Sequence, residues 1–171
     1  PAPAGEPMSL ITETGAGLPD AESFASVADA DAYWAARGAP AAWTGLTTSA
    51  KESALRLGTE HLARFTGMWR GTRLKATQAL DWPRGGVVVD GVELAYSVLP
   101  VQLVRAVCEL ALKAASGALL SDESAQVKSE KVGPLEVVYA DGARQQTRFV
   151  YVETLLAPLL RGGGTIALVR C

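Results

Sequence analysis

Few residues in this chain have the type and spacing to do chemistry. His61 is the one histidine. It falls on the apolar side of a predicted helix, where an imidazole reads as a core group and not as a proton carrier. The two cysteines, Cys108 and Cys171, do not make a framework. Cys108 sits in an apolar helical run and reads as a small core residue, and nothing in the pattern favours a disulfide over a reducing compartment. Gly162-Gly163-Gly164 leads to no Lys-Ser or Lys-Thr pair, so it reads as a hinge and not as a phosphate cradle. The sequence carries no nucleophile elbow, Walker loop, dinucleotide fingerprint or metal-spaced Cys/His cluster. Its carboxylates stand in no context that identifies an acid–base pair. The expectation is a non-enzymatic protein with no catalytic residues, no cofactor and no metal.

One segment invites a binding reading. In Trp69-Arg70-Gly71-Thr72-Arg73-Leu74-Lys75 an aromatic ring is interleaved with cations, a pattern that can stack bases and meet phosphates. The competing reading makes Trp69 and Trp82 core or interface anchors, with Arg70, Arg73 and Arg84 pairing carboxylates. Charge bears on the choice. The 171 residues carry 16 Lys and Arg against 18 Asp and Glu, a net −2, and aromatics make up only 6%. Residues 1–50 hold six acids (Glu6, Glu13, Asp20, Glu22, Asp29, Asp31) and one base, Arg37. Residues 51–84 hold seven bases (Lys51, Arg56, Arg64, Arg70, Arg73, Lys75, Arg84) and three acids (Glu52, Glu60, Asp81). An acidic arm beside a basic middle would oppose a bound strand. The plainer account of these charges is a solvated face plus internal ion pairs.

The elements that would position these residues are legible in part. At 49% hydrophobic and 20% charged, the chain can build one compact domain, predicted over residues 8–161. Residues 1–7 are Pro/Ala/Gly-rich and read as a disordered leader, and residues 162–171 as a flexible tail. No apolar run is long enough to span a bilayer, and the start lacks the order of a signal peptide. Residues 8–25 read as an extended arm with one short strand at Met8 to Thr12. Ser26 caps a first helix that Gly38 and Pro40 end. Ser49 opens a second helix to Phe65 with a Ser-x-x-Glu box, its stripe being Ala50, Ala54, Leu57, His61 and Phe65. Gln78 to Trp82 reads as a helical turn or bridge. Val87 to Val89 and Val92 to Tyr96 form a hairpin about Asp90-Gly91. Pro100 starts a third helix to Ser116, whose polar residues Gln102, Arg105, Glu109, Lys113 and Ser116 leave most of its girth apolar. Residues 121–131 read as a loop, Val132 to Ala140 as a strand with Pro134 marking an edge, and Thr147 to Val150 as a return strand. Val152 to Leu160 is a short helix bent at Pro158. The fold class is α+β and mainly helical, with three or four core helices, one or two small β-hairpins and extended N- and C-terminal arms.

Several stretches together resemble one family. They are Leu10-Ile11-Thr12-Glu13-Thr14-Gly15, Asp20-Ala21-Glu22-Ser23-Phe24, Ala30-Asp31-Ala32-Tyr33-Trp34-Ala35-Ala36-Arg37-Gly38 with Trp43, Gln78-Ala79-Leu80-Asp81-Trp82-Pro83-Arg84, Val127-Lys128-Ser129-Glu130-Lys131-Val132-Gly133-Pro134 and Leu155-Leu156-Ala157-Pro158-Leu159-Leu160. They resemble small proteins of phage structural modules, similar to head–tail connector (head completion) adaptors and often labelled DnaT-like single-stranded-DNA-binding proteins. The connector resemblance implies a virion protein, made in the bacterial cytoplasm. Its subunits would form a homo-oligomeric ring, commonly twelvefold, that joins the portal protein to tail or stopper proteins. Double-stranded DNA would pass through that ring without sequence-specific contact, and no membrane would be involved. The subunit interface is then expected at Trp82, Arg84, Lys128, Lys131, Val132, Leu135 and Val137. Portal docking is expected from the tail Thr165, Ile166, Ala167, Leu168, Val169 and Arg170. The DnaT-like label implies instead a single-stranded-DNA-binding replication accessory protein, and asks for a basic groove and stacking aromatics.

Overall fold

The computed structural model describes residues 9–117, 119 and 148–162, and the backbone of 129–132 and 135–138. Its centre is the apolar helix read between Pro100 and Gly117. This helix, α4, spans Val101–Ser116, and Leu103, Ala106, Val107, Cys108, Leu110 and Ala111 along it are fully buried. Four helices pack on it: α1 (Val27–Ala35), α2 (Ala41–Thr44), α3 (Thr48–His61) and α5 (Val150–Leu156). A helix apolar around most of its circumference is stable only when enclosed in this way. Burial pushes the Cys108 thiol up to about 12, so it stays a neutral core group.

Local signals set the helix ends. Asp29 N–H donates to Ser26 Oγ (3.1 Å) and Ser26 N–H to Asp29 Oδ2 (2.9 Å), a reciprocal box that starts α1. At α3 the cap is Thr47, whose hydroxyl accepts from Ala50 N–H at 3.2 Å; it is not Ser49, which lies inside the first turn. The expected α3 stripe is rotated as well. Leu57 is 47% exposed, while Leu55, Gly58 and Thr59 face the core beside Ala54 and His61. Gly58 explains the rotation: a Cβ there would stand 3.1 Å from Val107 O and Ala111 N, so α3 and α4 approach backbone to backbone. Leu62–Phe65 continues α3 as a 3₁₀ turn. Pro158 ends α5 in a second 3₁₀ turn, Ala157–Leu159, which is the expected bend.

The sheets are small. β1 (Thr72–Arg73) pairs antiparallel with β2 (Arg84–Gly85), and β3 (Val88–Val89) with β4 (Val92–Glu93). The second pair is the expected hairpin, turning through Asp90 (φ 51°) and Gly91 (φ 80°). β5 (Ser129–Val132) pairs with β6 (Leu135–Val138), Val132 opposite Leu135. The single strand expected from Val132 to Ala140 is thus two strands, and Ser129 to Lys131 belong to the first of them and not to a loop. Val150 lies in α5, so the return strand expected at Thr147 to Val150 does not form there. Asp141-Gly142 and the tail 163–171 lie outside the described residues, as do residues 1–8.

The N-terminal segment departs most from expectation. In place of a strand at Met8 to Thr12 there is a single bridge, Thr12 to Ser23. From Glu13 onward the segment is no free arm: Glu13, Ala21, Ser23, Phe24 and Ala25 are buried. The Glu13 carboxylate accepts from four backbone amides, those of Thr14 (3.0 Å), Gly15 (2.9 Å), Gly17 (2.9 Å) and Leu18 (2.8 Å). An anion that collects amides in this way organises a loop without a ladder.

Candidate nucleic-acid interface

The segment Trp69–Lys75 is held from both sides. Trp69 forms an antiparallel bridge with Leu160, with Arg70 N–H donating to Leu159 O (2.9 Å) and Arg161 N–H to Met68 O (2.6 Å). Trp69 is fully buried, edge-on to Trp82 at 6.0 Å between centroids, and its indole N–H donates to Asp81 Oδ2 at 3.1 Å. Gly71 has φ 67°, and a Cβ there would lie 2.3 Å from Gly85 O, so only glycine lets β1 and β2 close. The segment Gln78–Arg84 is a knot of side-chain-to-backbone bonds and not the helical turn expected there. Gln78 is buried, accepts from Lys75 N–H (2.9 Å) and donates to Leu80 O (2.8 Å) and Pro83 O (3.1 Å). The Trp82–Pro83 peptide is cis.

Four arginines converge on this knot. Arg84 donates to Arg70 O (2.8 Å), Gly71 O (2.9 Å) and Asp81 O (3.1 Å). Arg161 donates to the same Gly71 O at 2.9 Å, from 90 positions along the chain. Arg70 bridges Leu160 O and Val88 O, both at 3.0 Å. Arg73 donates to the carbonyls of Gln78 and Leu80. The expectation that Arg70, Arg73 and Arg84 pair carboxylates is therefore corrected: their partners are neutral carbonyls. Among the described residues no ion pair joins any of the four to an acid. Burial draws the Arg84 pKa down; nearby Asp81 opposes this, and the charges of Arg161 and Arg73 add to it. A hydrogen bond to a carbonyl orients a guanidinium without cancelling its charge, so the exposed Arg73 and Arg161 keep positive charge on this face, with Asp81 the nearby acid.

Four described acids of the N-terminal region are already engaged elsewhere in the fold. Glu13 is buried in its amides, and Asp29 caps α1. Glu22 accepts from Arg56 at 2.9 Å, a bond that lowers its pKa. Burial alone would raise the Asp31 pKa, but its bonds to Lys51 (2.8 Å) and the Trp43 indole (2.7 Å) bring it below the usual value. The expected ion pairs are present, Glu22 with Arg56 and Asp31 with Lys51, and they offset part of the acidic charge that spoke against a strand.

The expected interface residues divide. Trp82 is 1% exposed and anchors the core, and Arg84 is turned inward onto its own backbone. Neither presents a surface for another subunit. Lys131, Val132, Leu135 and Val137 share the β5–β6 pair, where only the backbone is described, while Lys128 and Thr165 to Arg170 lie outside the described residues. Sequence reasoning missed Arg161, which reached the site only through the Trp69–Leu160 bridge, and Tyr96, 60% exposed beside Gly85 of β2. Nothing in local sequence signals either placement. His61 is buried as expected; its Nε2 lies 3.4 Å from Arg64 Nη1, and its Nδ1 has no hydrogen-bond partner among the described residues. Among the described residues no helix is long and apolar enough to cross a membrane, and no acidic, His and Cys cluster could hold a metal.

No curated protein and no solved structure matches the chain. A family model does, over residues 8–171, which is nearly the whole length. With a match of that extent, the chain belongs to the family described as "Putative DnaT-like ssDNA binding protein".

Proposed function

We propose that this protein binds single-stranded DNA along the arginine face around Gly71. One observation carries the reading: Arg70, Arg73, Arg84 and Arg161 converge with only carbonyls as partners among the described residues. Arg73 and Arg161 are exposed, and Lys75 extends the charge. The phenol ring of Tyr96 stands open beside β2 and offers a stacking surface for a base. The family description supports the reading, since it names this ligand. The buried Trp69 and Trp82 do not stack bases; they stiffen the platform on which the arginines stand. Binding follows from phosphates meeting the accessible guanidiniums of Arg73, Arg161 and Arg70, held over the buried Arg84, while one or two bases pack on Tyr96. Fluorescence anisotropy with a labelled oligothymidine tests this. We expect binding that weakens with salt, by a slope of about −0.7 per phosphate contact. The double variant Arg73→Gln/Arg161→Gln should bind at least tenfold more weakly, and Tyr96→Ser about fivefold or more. Salt-independent binding, or full affinity in the double variant, overturns the reading.

A second reading, a ring subunit of a tailed-phage head–tail connector, is favoured by a different observation. Val88, Val92, Tyr96, Val98 and Val101 are each about half or more exposed along one short stretch, an apolar strip of the kind protein interfaces cover. In that reading the strip meets the next subunit, with the portal and tail proteins as further partners. Quantitative mass spectrometry of DNA-filled particles decides it. Presence in step with the portal protein supports a connector, and absence from the particle removes it.

A further inference from the structure

A cleft of about 400 Å³ opens between α3 with its 3₁₀ extension and the segment Ala79–Asp81. Its floor is apolar and buried, formed by Phe24, Leu62 and Trp69. Its rim carries more acid than base, with Glu60 exposed at one side, Asp81 at the other, and the Glu22–Arg56 ion pair (2.9 Å) also in the lining. Asp81 is held in place: its Oδ2 accepts the Thr66 hydroxyl (2.6 Å) and the Trp69 indole N–H (3.1 Å), and its Oδ1 takes no donor among the described residues. The wall formed by Leu80 and Asp81 is shared with the arginine face, because Arg73 and Arg84 grip the carbonyls of these two residues.

We propose that this cleft is a nucleobase pocket that prefers guanine; the inference rests on the single-stranded-DNA reading above. Three carboxylates against the one guanidinium of Arg56 disfavour phosphate in the cleft, so the sugar–phosphate chain stays on the arginine side of the wall and the neutral base enters. The size lies within the range of small-molecule sites, roughly 300–1,000 Å³, and the accessible apolar lining of Ala63, Ala79 and Leu80, above the buried floor, takes the flat face of a base. What distinguishes the bases is the set of donors on the Watson–Crick edge. Guanine offers two neighbouring donors, N1–H and the N2 amino group, to carboxylate oxygens that can only accept. Adenine and cytosine offer one amino group next to a ring acceptor. Thymine offers one N–H between two carbonyls, which face the carboxylates unfavourably. A preformed carboxylate with a free oxygen thus selects guanine over thymine.

The test uses the full chain and a short oligothymidine in which one central base is thymine, guanine, adenine or cytosine. The single dG should raise affinity about tenfold over the all-dT strand, with dA and dC between. Asp81→Asn and Glu60→Gln should each shrink the dG advantage to about threefold or less, without weakening all-dT binding. Thermal melting shows whether Asp81→Asn folds; if it does not, Glu60→Gln on the exposed rim carries the test. Equal affinity for the four strands overturns the pocket and leaves strand binding standing. Failure to bind any of them overturns strand binding, and the pocket with it.

Discussion

Single residues in this protein act through what they hold. Arg84 is the clearest case, with three carbonyls on one guanidinium at 9% exposure. Lysine keeps the charge but cannot reproduce the fork. Arg84→Lys should therefore cost about 2–3 kcal/mol in urea unfolding, since it takes the donor from the part-buried carbonyls of Arg70 and Asp81 and leaves Gly71 O to Arg161 alone. Insensitivity to this change would mean water substitutes freely at Gly71. His61 supplies a pH signature. Burial first, and the charge of Arg64 second, lower its pKa below the reference 6.5, so the fold accepts the neutral ring. As pH falls through about 6.5 the unfolded chain takes up the proton first, and stability drops until the folded value is reached. Between about pH 7.5 and pH 5 the wild type should lose more stability than His61→Leu. Parallel losses would show that the imidazole finds a proton partner.

At the scale of elements, the α3–α4 contact decides how the core closes. In an isolated helix, Gly58→Ala would stabilise by about 1 kcal/mol through helix propensity. Here the added methyl meets Val107 O and Ala111 N at 3.1 Å, and backbone atoms of a central helix cannot yield cheaply. The substitution should lower the melting temperature, and a rise would show that α3 slides on α4. The same contact accounts for the misread stripe: ranking by side-chain apolarity puts Leu57 inward, whereas close approach needs the residue with no side chain. The cap of α3 has a similar cause. Thr47, Thr48 and Ser49 can all cap, and the choice falls to the residue whose backbone is extended, Thr47 with ψ 160°.

At the scale of the molecule, the net charge of −2 conceals a segregation. Of the acids near the N-terminus, Glu13 is buried on backbone amides and Glu22 and Asp31 pair with Arg56 and Lys51, while the arginines around Gly71 bond only carbonyls among the described residues. If about four phosphates are engaged, the salt slope of single-stranded-DNA binding should lie near −3. A slope near zero would mean that the arginines serve the fold alone. Elements whose signal is local were legible in the sequence: the Ser26 cap, the Asp90-Gly91 turn, the apolar girth of Val101–Ser116 and the bend at Pro158 each depend on residues a few positions apart. The sequence by itself thus determined four of the five described α-helices, one hairpin, the largely buried girth of α4 and the core place of Cys108, while it missed α2 and left Trp69 and Trp82 open between stacking and anchoring. It also marked the stretch from Trp69 to Arg84 as unusual. Only the tertiary structure decided what the arginines of that stretch do, because their partners are carbonyls, which every residue carries and no sequence pattern advertises. It alone brought Arg161 to Gly71 and set Tyr96 beside β2, since contacts across long stretches of chain follow from packing on α4 and not from local propensity.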